Sequence, residues 1–101
     1  MEKQDFKPDT RYTISWRNPA GKVQPAQIYV YRAHDKFMVA RMASEAGVLR
    51  RIGYDEVLRV AKESPVEPAA RLGLPAALLD EKFWRDRVML EHYASSPAAG
   101  K

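Results

Sequence analysis

Between Arg11 and Trp16 the side chains alternate strictly: Tyr12, Ile14 and Trp16 fall on one side, Thr13 and Ser15 on the other. A period of two is that of a half-buried strand and is incompatible with a helical stripe. The same character returns downstream. Residues 26–32 are rich in β-branched and aromatic types and read as a strand. Ile28 and Val30 share one face there, and Tyr29 and Tyr31 the other. Residues 36–42 resume the pattern, with Phe37 and Val39 opposite Met38, Ala40 and Met42, and His34-Asp35 between them makes a hairpin. Asn18-Pro19-Ala20-Gly21 is a turn, and Pro25 places the start of the second strand after it. Ser44-Glu45-Ala46-Gly47 closes another turn, and residues 48–52 form a fourth strand.

The remainder is less sharply patterned. Residues 54–63 fit either a helix capped by Asp55 or a short closing strand at Val57-Leu58-Arg59-Val60; the open edge left by four strands favours the strand. Pro75 sits where a first helical residue belongs, and a helix is expected over about 75–93, with Leu79, Phe83 and Leu90 as its apolar stripe. Asp80 and Glu81 lie near its start, where they balance the helix dipole. Residues 95–101 are expected to be disordered. The expected fold class is α+β: one domain over 1–94, with four or five antiparallel strands in a small barrel or curved sheet and a C-terminal helix packed on it. A chain of 101 residues has room for one thin core.

Chemistry is constrained mainly by exclusion. There is no cysteine, and therefore no disulfide, thiolate ligand or cysteine nucleophile. The five glycines never approach the spacing of a phosphate loop. His34 and His92 lie far apart and lack ligand spacing, so no metal site is expected. The serines occupy no nucleophile-elbow context, and adjacent carboxylates point to different faces; no enzyme and no cofactor are expected. No apolar run is long enough to span a membrane and the start has no leader-like core; the lack of cysteine leaves the compartment open, with cytoplasm the default expectation.

Charge is the positive signal. The formal net charge is +4, and residues 10–54 hold eight cations against Asp35 and Glu45. Such a surplus attracts polyanions by counterion release, although a solvated face explains a charge so dispersed somewhat better. Aromatic and basic residues interleave at Trp16-Arg17, Tyr29, Tyr31-Arg32, Lys36-Phe37, Arg50-Arg51 and Tyr54. Guanidinium groups pair phosphates and rings stack bases, which makes RNA the first binding function expected. Arg17, Arg32, Lys36, Arg50 and Arg51 are then the phosphate partners, and Tyr29 and Tyr31 the stacking pair. For these two tyrosines, packing beneath the C-terminal helix ranks above stacking. The alternative function is protein interaction or assembly, including a homo-oligomer, through an exposed aromatic face or the helix stripe.

Three stretches, Gly21-Lys22-Val23-Gln24, His34-Asp35-Lys36-Phe37-Met38-Val39 and Arg50-Arg51-Ile52-Gly53-Tyr54-Asp55-Glu56-Val57, resemble the pattern of Sm-like and SH3-like small β-barrels. In the Sm-like family an aspartate followed by aromatic and aliphatic residues opens the third strand, and the resemblance matches Asp35 to it. The resemblance implies ring assembly around RNA, with His34, Asp35, Lys36, Arg50 and Arg51 lining the pocket.

Overall fold

The alternating segments pair into one antiparallel sheet. The computed structural model describes residues 1–43 and 47–90. Its strands are β1 (Thr10–Arg17), β2 (Val23–Ala33), β3 (Phe37–Met42), β4 (Val48–Gly53), β5 (Val57–Pro65) and the two-residue β6 (Met89–Leu90). Their order is β5-β1-β2-β3-β4-β6, so the last long strand returns beside the first and the sheet remains open at β5 and β6.

The even positions of β1 and β2 build the inner face. Tyr12, Ile14, Trp16, Ala26, Ile28 and Val30 join Met38, Ala40 and Met42 of β3, Ile52 of β4 and Val57 of β5, with Phe6 and Tyr54 closing the ends. The Arg50 guanidinium of β4 lies 5.4 Å from the Trp16 ring of β1. Three strand spacings in a flat sheet separate these strands by about 14 Å, so the contact shows how strongly the sheet curls. Register shifts in the β1–β5 pairing and between Val30 and Arg32 supply the bending.

Three expectations are corrected and one open alternative is decided. The sheet has six strands and is not closed. Pro25 lies inside β2, opposite Ser15. It is tolerated because β3 pairs with β2 only from Ile28 onward, leaving a side to which a residue without an N–H can turn. Residues 54–63 are a 3₁₀ turn (Tyr54–Glu56) followed by β5, as the strand reading had it. The long helix is absent. Only α1 (Ala76–Leu79) is α-helical, and Asp80 leaves it with extended backbone (φ −72°, ψ 134°). The Asp80 carboxylate accepts from the Lys82 N–H at 2.9 Å, which caps a separate 3₁₀ turn (Glu81–Trp84). An acidic residue that bonds its own downstream backbone competes with helix continuation, and here it wins. The end of the expected helix, 91–93, and the expected disordered tail lie outside the described residues, as do residues 44–46 of the expected turn.

Residues 66–90 instead run as a strap across the outer face of β2, β3 and β4. Val66, Leu72, Leu74, Leu78, Leu79, Phe83 and Leu90 pack there with the fully buried Trp84 over Tyr29, Tyr31, Val39 and Leu49. The Trp84 indole donates to the Leu78 carbonyl at 2.7 Å.

Candidate nucleic-acid interface

The strap divides the nine residues singled out from the sequence. Tyr29 and Tyr31 are 1% and 7% exposed, because the strap covers both rings. No ring face is open for a base, which removes them as a stacking pair. Their packing under the C-terminal segment is as ranked, although that segment is not a helix. The Tyr29 hydroxyl donates to Asp9 Oδ1 at 2.6 Å and accepts from the Leu72 N–H at 3.0 Å, tying the N-terminal segment to the strap. Burial, reinforced by the Asp9 carboxylate, pushes its pKa up to about 12. The Tyr31 hydroxyl accepts from Arg41 Nε at 2.7 Å.

Arg50 and Arg51 are occupied within the fold. Arg50 is 7% exposed, lies against Trp16 and reaches Met89 Sδ at 3.5 Å. Arg51 donates to the Trp84 carbonyl and, at 3.1 Å, to that of Arg85, so it holds the strap on β4. His34 is half-buried, its Nε2 2.8 Å from the Leu79 carbonyl oxygen. Asp35 is exposed and accepts from Lys3 at 3.3 Å. Arg17, Arg32 and Lys36 are exposed. The pocket implied by the Sm-like resemblance therefore has Arg50 and Arg51 turned to structural work, and the nine do not form one surface.

A different constellation does. The strap leaves bare the outer face of β5, β1 and the first half of β2. Cross-strand partners project to the same face, and so the register assembles this surface directly. Arg11 stands beside Tyr29 and Ser64, Thr13 between Gln27 and Lys62, Ser15 between Pro25 and Arg59, and Arg17 beside Val23. Arg11, Arg17, Arg59 and Lys62 are exposed there, and β1, β2 and β5 add no carboxylate to the face, while Asp9, which accepts from the Tyr29 hydroxyl, stands near its Arg11 end. Glu63, the one acid of β5, pairs with Tyr12 in register and lies 3.7 Å from Lys7. Arg11 to Arg17 spans six residue steps, about 20 Å. Between these cations a hollow of about 160 Å³ is lined by Arg11, Thr13, Gln27, Lys62 and Ser64, among others. Arg11 is steadied at one end, its guanidinium 5.4 Å from the Tyr29 ring.

Of these four cations, sequence reasoning placed only Arg17 among the site residues. Arg59 and Lys62 belong to a stretch whose total charge is slightly negative, and only the β1–β5 pairing brings them beside Arg11 and Arg17. The alternation of β1 carried the missing signal: if Tyr12, Ile14 and Trp16 face inward, Arg11 and Arg17 must face outward together. Among the described residues no three of His, Asp or Glu gather as metal ligands, and no helix is long and apolar enough to cross a membrane. No family model, curated protein or solved structure matches the chain.

Proposed function

We propose that this domain binds single-stranded nucleic acid, RNA foremost, along the bare outer face of β5, β1 and β2. The observation that carries the reading is the row of Arg11, Arg17, Arg59 and Lys62 on one uncovered strand surface to which β1, β2 and β5 contribute no carboxylate. Phosphate pairing dominates and base stacking contributes nothing, because the tyrosines lie under the strap. Binding is accordingly indifferent to sequence and governed by counterion release. The Thr13, Ser15 and Ser64 hydroxyls and the Gln27 amide stand among the cations and can bond a ribose 2′-hydroxyl, the group that separates RNA from DNA.

Fluorescence anisotropy with a labelled oligouridylate over a salt series tests this. Four phosphate contacts give a slope of log K against log salt of about −3. The double substitution Arg11→Gln/Lys62→Gln should halve the slope and leave the fold intact, since both side chains are exposed. Oligodeoxythymidylate should bind more weakly at equal salt. Absence of binding at low salt, or an unchanged slope in the double variant, would overturn the reading.

A further inference from the structure

A second recess owes nothing to the cationic strand face and shares no lining residue with it. The N-terminal segment and the strap meet over the end of β2 around a cleft of about 710 Å³. This is within the range of small-molecule sites, about 300–1,000 Å³. Its apolar lining comes from Phe6, Tyr31, Leu72, Leu74 and Leu79, and its cations are Lys3, Lys7 and Arg32.

The bulge in β2 creates the third of these. By strict alternation Arg32 would follow Ile28 and Val30 into the inner core. The register shift instead sets Arg32 opposite Val39, whose side chain lies on the outer face. The Arg32 side chain is exposed and has no hydrogen bond or ion pair among the described residues. Lys3 and Lys7 hold Asp35 and Glu63 at 3.3 and 3.7 Å in pairs open to water, which an incoming anion can displace at little cost. The one carboxylate of the lining, Asp9, is already engaged: Oδ1 accepts from Tyr29, and Oδ2 lies 3.9 Å from Arg71 Nε. The cleft therefore offers aliphatic and aromatic walls with one unpaired cation, Arg32, in its lining.

From this complementarity we infer that the cleft takes a small amphiphilic anion, an acyl-chain-sized apolar body ending in a single carboxylate that Arg32 receives. Leucine-rich walls suit a saturated chain, and a guanidinium receives a carboxylate through two parallel hydrogen bonds.

The test titrates dodecanoate, below its micellar concentration, into the full chain by calorimetry and ¹⁵N NMR. One saturable site is expected, with amide shifts centred on Arg32, Ala33, Leu72 and Leu74. Arg32→Glu should weaken it at least about tenfold, as befits loss of a charge-assisted bond. Lys82→Glu, the same charge change at an exposed position outside the cleft, should leave affinity unchanged. Dodecyltrimethylammonium should not bind. A titration without saturation, shifts centred elsewhere, equal weakening by Arg32→Glu and Lys82→Glu, or binding of the cationic amphiphile would each overturn the inference.

Discussion

Trp84 is the residue through which the strap is held. It is fully buried, its indole N–H is satisfied by Leu78, and its ring meets Phe83 edge-on with centroids 5.3 Å apart. Trp84→Ala should cost about 3–5 kcal/mol in urea unfolding, a large share of the stability of a domain this size. A loss below about 1 kcal/mol would mean that the strap is not part of the cooperative fold. The buried phenols give a second residue-scale expectation. Burial raises the pKa of Tyr12, and burial lifts those of Tyr29 and Tyr54 to about 12, with Asp9 and Asp35 respectively adding to it. A raised folded-state pKa stabilises the fold fully below the ordinary value of 10.0. That contribution falls as pH climbs from there toward about 12, because the unfolded chain releases its protons first. Alkaline titration followed by phenolate absorbance should therefore show these tyrosines ionising together with loss of the fold. Phenolate forming at the ordinary pH in an intact protein would contradict the burial.

At the scale of elements, what could be read in advance tracks how local its cause is. The alternation in β1, β2 and β3 is written in consecutive side chains, and those strands lie where the pattern puts them, within a few residues. The turn after β1 is equally local: Asn18 Oδ1 accepts from the Ala20 and Lys22 N–H groups, and Gly21 adopts φ 81°. A Cβ at Gly21 would meet nothing within 4 Å, leaving only the backbone penalty of a left-handed residue. Gly21→Ala should thus destabilise by about 1–2 kcal/mol in thermal or urea unfolding with no change in fold. A neutral substitution would show that this turn relaxes freely. The C-terminal segment defeated the same reasoning. Its leucines and aromatics fit helical spacing, but the surface they cover is a curled sheet face, and Asp80 breaks the run to follow it. Trp84 was missed for that reason, since helical spacing puts it off the stripe that carries Leu79, Phe83 and Leu90.

At the scale of the whole molecule, the fold redistributes charge that looked merely dispersed. Arg41 and Arg50 are buried, Arg51 fastens the strap, and β5 delivers Arg59 and Lys62 beside Arg11 and Arg17. The candidate site was legible only in Arg17, because its other members depend on a pairing between strands some 40 residues apart in the chain. The same long-range layout buried the tyrosines that the composition offered as stackers. The central claim is that the strap leaves one half of the outer sheet face bare and that this half receives the phosphate backbone. The most direct measurement is a ¹⁵N NMR map of the full chain titrated with oligouridylate. The account predicts shifts concentrated at Arg11, Thr13, Arg17, Gln27, Arg59 and Lys62, with the amides beneath the strap unmoved. Shifts centred on Tyr29, Tyr31, Arg50 and Arg51, or none at saturating oligonucleotide, would contradict it.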